Sequence, residues 1–193
     1  MSDIAILKEM INKTATVSLV NHQNKKKVTL EEKDDKVPND EKANYTVDVL
    51  GLPDDSDVIV IKVDACFKPP DSIFNCKNNN MCKRSDFVII ADTGTDKVIV
   101  CIEMKAGKPD NKEIKQQLKG LQCFIRYCQE IGKSFWNQDK FLEDYDYRFV
   151  AILNICKGRK TSTAYKEREV LNDTPDNMFK VPNCPIIQFK KLI

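Results

Sequence analysis

Residues 86–105 have the sequence DFVIIAD-TGTD-KVIVCIEMK, and this stretch decides the fold of the chain. Two short runs, 86–92 and 97–105, are rich in β-branched residues, and the four residues between them include a glycine. Short β-branched runs joined by a glycine-containing tetrapeptide are typical of a β-hairpin. We therefore predict two antiparallel strands with a symmetric turn about Gly94 and Thr95.

The symmetric turn predicts a register that places two acids opposite each other at the open end of the hairpin. Asp92 would lie opposite Lys97, and Asp86 opposite Glu103. Opposed residues have Cβ atoms about 4.5–5.5 Å apart, and two carboxylates that close repel each other unless a cation lies between them. Lys105 shares the face of Glu103, one alternation further along the strand. The open end is therefore predicted to bind a divalent metal ion and a phosphate.

An acid two residues before a lysine is common in this chain, so the spacing alone has little meaning. Only Glu103 and Lys105 follow an apolar strand and have a second acid predicted across from them. The alternative is an ion pair at the solvent-exposed end of the hairpin. The same spacing occurs at Glu31-Lys33, Asp34-Lys36, Asp40-Lys42, Asp110-Lys112 and Glu113-Lys115.

The segment after the hairpin is predicted to be a helix over residues 111–131, because apolar residues recur there at helical spacing. We expect it to end at Gly132, since glycine is typical of helix C-termini. Gln117 lies about 40° from Leu121 on the helix, and a polar amide beside a buried stripe needs a partner. We expect Gln117 to reach toward the acids; the alternative is a solvated amide. The stripe comprises Ile114, Leu118, Leu121, Ile125 and Cys128.

The order of elements predicts one domain over residues 1–193, of α/β (α+β) type, with a central mixed β-sheet flanked by helices. A first amphipathic helix is expected over residues 3–13, and 31–42 and 161–180 are expected to be loops. The lysine run 25–27 is expected in a turn. Further strands are expected at 16–20, 28–30, 45–50, 58–67, 147–155 and 184–189.

The composition is ordinary for a soluble globular protein, with 41% apolar residues, 31% charged residues and a net charge of +2. No apolar run approaches the roughly 20 residues of a membrane span. The first residues lack the basic and apolar regions of a signal peptide. We therefore expect a cytoplasmic protein.

The eight cysteines are interpreted as reduced thiols rather than as a disulfide framework. Free cysteine in an apolar pattern acts as a small hydrophobe, and five fall in such patterns: Cys66, Cys101, Cys123, Cys128 and Cys156. A zinc site is the alternative, although the spacing is not a recognised one; its ligands would be Cys66, Cys76, Cys82 and Cys184. His22 is the only histidine, which excludes His-metal nucleases and most Ser-His hydrolases.

Residues 82–118 resemble the catalytic core of the PD-(D/E)xK nuclease superfamily, which has the restriction-endonuclease-like fold. The matching features are Ser85-Asp86 at the head of one strand, Glu103-Met104-Lys105 at the end of the next, and Gln117-Leu118 on the following helix. The resemblance implies an αβββαβ core over residues 57–156, with 149–153 as its fourth strand. Ser85 stands where the name-giving proline would be. No clear acid is present on the first helix, where the candidate, Glu9, is expected to be solvated.

The resemblance implies a metal-dependent nuclease that hydrolyses phosphodiester bonds in DNA. Mg²⁺ or Mn²⁺ would be held by Asp86, Glu103 and the main-chain carbonyl of Met104. Lys105 would orient the attacking water or stabilise charge on the phosphate, and Gln117 would position the lysine or the water. The alternatives are an RNA endonuclease and a catalytically inactive interaction or nucleic-acid-binding subunit with the same fold.

Further candidates lie near the strand ends. Asp64 is a charged residue within an apolar strand and is a candidate fourth metal ligand, the alternative being that it marks a solvent-facing edge. The partner is expected to be DNA rather than a membrane, with a homodimer or a partner protein for targeting, in defence against foreign DNA or in DNA processing. Basic residues expected to contact phosphate are Lys83, Arg84, Lys108, Lys157, Arg159 and Lys160.

Overall fold

A computed structural model describes residues 1–33, 44–64, 66, 73–77, 80–107, 110–155, 171–182 and 184–193. Over these residues the chain is a mixed α and β protein with two α-helices and two mixed β-sheets. In chain order the elements are α1 Asp3–Met10, β1 Val20–His22, β2 Lys25–Lys33, β3 Asn44–Leu52, β4 Val58–Lys62, β5 Phe87–Asp92, β6 Lys97–Lys105, α2 Asn111–Trp136, β7 Asp146–Leu153, β8 Phe179–Pro182 and β9 Ile186–Gln188.

The five-stranded sheet has the order β4-β5-β6-β7-β8 and contains the predicted hairpin. Its register is confirmed, since Asp92 pairs with Lys97 and Phe87 pairs with Ile102. Strand β4 is antiparallel to β5, whereas β7 and β8 run parallel to β6. The order places β6 at the centre of the sheet, so the strand that ends at Lys105 is flanked on both sides by hydrogen-bonded neighbours.

A second sheet, with the order β1-β2-β3-β9, was not expected, so the prediction of one central sheet was wrong. Residues 31–33, predicted to be loop, continue strand β2 and pair with β3. The lysine run 25–27, predicted to be a turn, begins the same strand. The turn before it is formed by Gln23 and Asn24, whose positive φ angles of 46° and 62° suit a tight hairpin.

The residues of β5 alternate between two cores, which makes the molecule a three-layer structure. Val88 and Ile90 belong to a core shared with α1 and α2. Phe87 and Ile89 belong to a second core, shared with the smaller sheet. The five-stranded sheet is therefore covered by helices on one face and by the second sheet on the other, and its apolar strands are buried on both faces.

Helix α2 is longer than predicted, because Gly132 does not end it. Asn137 ends the helix instead, in the left-handed conformation at φ 53°. A Cβ at Gly132 would lie 2.2 Å from the Phe141 ring, so the glycine serves close packing. The predicted apolar stripe of this helix is confirmed, since all five of its members are buried.

The cysteine prediction was wrong in part. Cys76 and Cys82 form a disulfide, while Cys101, Cys128 and Cys184 are buried free thiols. Cys66 and Cys123 are exposed rather than buried. Among the described residues no cysteine joins a cluster of three or more metal-ligating groups, and Cys156 lies outside the described residues.

Two segments near the C-terminus also differ from what the sequence predicted. Strand β8 begins at Phe179, within the stretch predicted to be loop, and runs beside β7 at the edge of the large sheet. The last strand is shorter than expected and runs parallel to β3.

No helix in the described part of the chain is long and apolar enough to cross a membrane.

Candidate metal centre

Asp86 lies just before strand β5, and the neighbouring strands fix its position. Its main-chain carbonyl accepts a hydrogen bond from the amide of Val63 at 2.9 Å. The Met104 amide donates to its carboxylate Oδ2 at 2.6 Å. The side chain is only 6% exposed. Phe87 pairs with Ile102, so the same register continued by one step would set Asp86 beside Glu103, and the two acids are close enough for their charges to interact.

Glu103 is a fully buried carboxylate near the end of the central strand, with an exposed fraction of 0%. Lys105 Nζ lies 2.7 Å from its Oε1 and forms an ion pair with it. Neither carboxylate oxygen has a well-aligned hydrogen-bond partner among the described residues. A buried carboxylate that contacts a lysine through only one of its two oxygens is costly, which distinguishes Glu103 from an ordinary structural acid.

The burial changes the proton affinities of all three groups. Burial, together with the charges of Glu103 and Glu32, raises the pKa of Asp86 well above its ordinary value. Burial raises the pKa of Glu103 to about 7, although Lys105 opposes the shift. Burial acts to lower the pKa of Lys105, but the charges of Glu103 and Asp86 outweigh it and raise that pKa. Two acids with raised pKa values therefore lie beside a lysine that stays charged.

Asp86 also belongs to a second group of acids, with Asp64 and Glu32. One carboxylate oxygen from each of the three lies within 4.8 Å of the others. Asp64 follows strand β4 rather than lying within it, and the structure brings it to Asp86. Glu32 comes from β2 of the second sheet and was missed because its stretch was predicted to be loop. The signal was available, since Glu32 continues the alternation of the buried residues Val28 and Leu30.

Lys62, at the end of β4, is a second lysine at this centre and was also missed. Its Nζ lies 3.0 Å from Glu32 Oε2 and donates to the carbonyl of Glu31 at 3.1 Å. It lies 5.4 Å from the centre of the Phe87 ring. The positive charge of Lys62 thus lies among the acids.

The donors fit a hard divalent cation. All are carboxylate oxygens, which Mg²⁺ and Mn²⁺ prefer over sulfur or imidazole. Oxygens bound to one such ion are at most about 4 to 5 Å apart, and the oxygens of Glu32, Asp64 and Asp86 all lie within 4.8 Å of one another. Glu103 adds a buried oxygen, Oε2, with no hydrogen-bond partner among the described residues.

Gln117 supports the chain that leads to Asp86 and does not contact the acids among its described hydrogen bonds. Its Nε2 donates to the Arg84 carbonyl over 3.5 Å, while its Oε1 is buried without a described hydrogen bond. Nearby, the main chain of Lys83 crosses α2 at Gly120, where a Cβ would lie 1.8 Å from the Lys83 carbonyl oxygen. Helix α2 therefore positions the segment before β5.

The predicted phosphate-contacting residues are only partly described. Lys83 Nζ forms an ion pair with Glu113 at 2.9 Å, and the Arg84 guanidinium donates to the carbonyl of Cys82. Burial lowers the pKa of Arg84. Lys108, Lys157, Arg159 and Lys160 lie outside the described residues.

Two further predictions from the sequence concern Glu9 and Met104. Glu9 is exposed and accepts a hydrogen bond from the Trp136 indole at 3.1 Å, so its predicted solvent exposure is confirmed. Met104 contacts Asp86 through its amide; a role for its carbonyl as a metal ligand stays a prediction.

In comparisons with known proteins, no family model, no curated protein and no solved structure matches this chain.

Proposed function

We propose that the protein is a metal-dependent nuclease that hydrolyses phosphodiester bonds in DNA. The observation that carries the proposal is the convergence of Asp86, Glu103 and Lys105 at one end of the central strands. The two acids are buried, and Lys105 contacts Glu103 at 2.7 Å. An acid pair beside a lysine suits a site that holds a cation and a phosphate together.

The resemblance of the sequence to PD-(D/E)xK nucleases is supported by the order of elements. Helix α1, strands β4, β5 and β6, helix α2 and strand β7 follow one another in the αβββαβ order. Strands β1 to β3 are inserted between the first helix and the core. Asp86 directly precedes the second core strand, β5, and Glu103 lies near the end of the third, β6, which supports the proposal.

The residues have distinct roles in this proposal. Asp86 and Glu103 bind Mg²⁺ or Mn²⁺ through carboxylate oxygens. A cation held there would polarise the scissile phosphate and lower the pKa of an attacking water. Lys105 is 30% exposed at its side chain, so it can contact a phosphate oxygen while it remains beside Glu103. Its charge stabilises the negative charge that develops on the phosphate during attack.

Gln117 is assigned a positioning role. Its hydrogen bond to Arg84 and the close passage of Lys83 at Gly120 hold the segment that carries Asp86. A displacement of that segment moves the Asp86 carboxylate relative to Glu103. We therefore assign Gln117 to holding this segment in position, not to contact with the reacting groups.

The proposal is tested by incubating the purified protein with plasmid DNA, single-stranded DNA and RNA. Each substrate is tested with Mg²⁺, with Mn²⁺ and with EDTA, and products are separated on denaturing gels. We expect cleavage of DNA that requires a divalent ion. Asp86→Asn removes one metal ligand at nearly constant volume and should abolish the cleavage. Asp92→Asn, at the other end of β5, is the matched control and should cleave normally.

The outcomes separate the candidate functions. Cleavage of RNA alone would favour the RNA endonuclease. Absence of cleavage of all three substrates by a folded protein would favour the inactive nucleic-acid-binding subunit. Metal-dependent cleavage that survives Asp86→Asn would refute the site, whatever the substrate.

A further inference from the structure

Glu32 comes from a different sheet from the other acids of the site. Strand β2 belongs to the four-stranded sheet, whereas β4 and β5, next to Asp64 and Asp86, belong to the five-stranded sheet. The two sheets pack face to face through a common apolar core. At the edge of that core, oxygens of the three carboxylates lie within 4.8 Å of one another.

Acidic clusters on protein surfaces are common without an ion, but this one adjoins a buried acid. Glu103 is 0% exposed, and its Oε2 has no hydrogen-bond partner among the described residues. It lies one residue beyond Ile102, whose partner Phe87 follows Asp86. A fully buried oxygen without a described hydrogen bond, in a carboxylate close enough to Asp86 and Asp64 for their charges to interact, together with the 6% exposure of Asp86, indicates a site built for a positive charge.

Lys62 supplies a positive charge at this cluster. Its Nζ is 3.0 Å from Glu32 Oε2 and lies close enough to Asp64 and Asp86 for their charges to act on it. Arg84 and Lys105 are close enough to Asp64 and Asp86, respectively, for those charges to act on them, whereas Lys62 contacts Glu32 directly. A divalent ion at the same carboxylates would compete with Lys62 for Glu32.

We propose that Glu32 is a metal ligand, so that one divalent cation is bound jointly by Glu32, Asp64 and Asp86 and links the two sheets. Lys62 is the counter-ion of Glu32 until the cation displaces it. The inference rests on the cation-binding part of the proposed function and extends it to a ligand outside the resembling core. It implies that the cation stabilises the packing of the second sheet on the first.

Metal binding by Glu32→Gln tests the ligand directly. The affinity for MnCl₂, added alone at pH 8, is measured by isothermal titration calorimetry, and the shift of the thermal unfolding midpoint is measured in parallel. We expect Glu32→Gln to weaken Mn²⁺ binding at least 10-fold and to reduce the midpoint shift. Glu31→Gln is the matched control on the same strand, because it retains the carbonyl that Lys62 contacts, and should bind within 2-fold of the wild type. Equal affinity of Glu32→Gln and the wild type would overturn the proposal.

We expect the Lys62→Met variant to bind Mn²⁺ more tightly than the wild type, a change that a misfolded variant would not produce. Removing the competing charge should tighten Mn²⁺ binding at least 3-fold. Lys97→Met, at the far end of the hairpin, is the control for a general change of net charge and should leave the affinity unchanged. Weaker binding by a folded Lys62→Met variant would contradict the displacement of Lys62 by the cation.

Failure of this inference is distinguishable from failure of the proposed function. Mn²⁺ binding that depends on Glu32 in a protein that cleaves no nucleic acid would support the site and reject the nuclease. Metal-dependent cleavage combined with wild-type Mn²⁺ affinity in Glu32→Gln would support the nuclease and reject Glu32 as a ligand.

Discussion

The two ends of the β5–β6 hairpin have the same residue types but different environments. At the turn, Asp92 and Lys97 pair across the strands, and Asp92 Oδ1 accepts a hydrogen bond from the Gly94 amide at 2.9 Å. Lys97 is exposed to solvent. The charges there are hydrated or hydrogen-bonded, which is the ordinary state of polar groups at a turn.

At the open end, the acids are enclosed by the second sheet and the helices. Asp86 is 6% exposed and Glu103 is 0% exposed, and neither Glu103 oxygen has a well-aligned hydrogen bond among the described residues. Buried carboxylates without full pairing reduce stability. The candidate site is therefore distinguished by the burial of its carboxylates and by their incomplete hydrogen bonding, and not by the acid–x–lysine spacing.

The largest difference between the two ends is expected in catalysis. Lys105→Met should lower the rate of metal-dependent cleavage about 100- to 1,000-fold, because it removes the positive charge beside the reacting phosphate. Lys97→Met should leave the rate nearly unchanged, since Lys97 lies at the turn and contacts the Tyr145 ring. Single-turnover rates on a labelled duplex with saturating Mg²⁺ measure both. Equal rates for the two variants would show that the open end has no special role in catalysis.

The second difference concerns the pH dependence of stability without a metal ion. Burial raises the pKa of Glu103 from 4.5 to about 7, so between these values the folded state binds more protons than the unfolded state. Stability therefore falls as pH rises through this window, by about 3 kcal/mol when the shift is complete, and the loss is complete above pH 7. Asp86 acts in the same direction because its pKa is also raised.

Urea unfolding in EDTA at a series of pH values measures this loss. The free energy of unfolding should be higher at pH 5 than at pH 8, and Glu103→Gln should flatten the slope. Asp92→Asn, at the turn, should retain the wild-type slope. Saturating Mn²⁺ should raise stability more at pH 8 than at pH 5, because protonated carboxylates bind metal ions poorly. A Glu103→Gln slope equal to that of the wild type would contradict the raised pKa.

The hairpin and the helix after it could be predicted because their signals are local. β-Branched runs about a glycine-containing turn fixed the pairing of Asp92 with Lys97. The apolar spacing fixed the buried stripe of α2. Both patterns depend on residues close in sequence, so one chain sufficed to find them.

The second sheet was missed because its charged strand resembles a solvated loop. Strand β2 ends at Lys33 with charged residues at three successive positions, and only its pairing with β3 shows that it is extended. Glu32 lies on this strand and was therefore not predicted to be a site residue. Gly132 was misassigned for a related reason, since its role depends on Phe141, which approaches from another segment. Contacts between distant segments decide both features, and no local pattern contains them.

A third prediction concerns how the open end is held in place. Gly120→Ala should lower the free energy of unfolding by about 1–3 kcal/mol, because its Cβ would lie 1.8 Å from the Lys83 carbonyl oxygen. In an unobstructed helix position the same change stabilises by up to about 1 kcal/mol, so the sign is diagnostic. Gly107→Ala, with no atom within 4 Å of its added Cβ, is the control. Chemical denaturation measures the free energy of unfolding of both variants. A Gly120→Ala variant that is more stable than the wild type would show that the Lys83 main chain does not pack closely against α2.

The smallest effect is expected at the turn. Asp92→Ala removes the acceptor of the Gly94 amide hydrogen bond, and an exposed hydrogen bond of this kind contributes about 1 kcal/mol. The variant should therefore lose about 1 kcal/mol in urea unfolding, with no change in its pH slope or its Mn²⁺ affinity, because the turn is at the opposite end of β5 from Asp86. A loss of Mn²⁺ affinity in Asp92→Ala would show that the hairpin transmits changes from the turn to the open end, and the two ends would then not be independent.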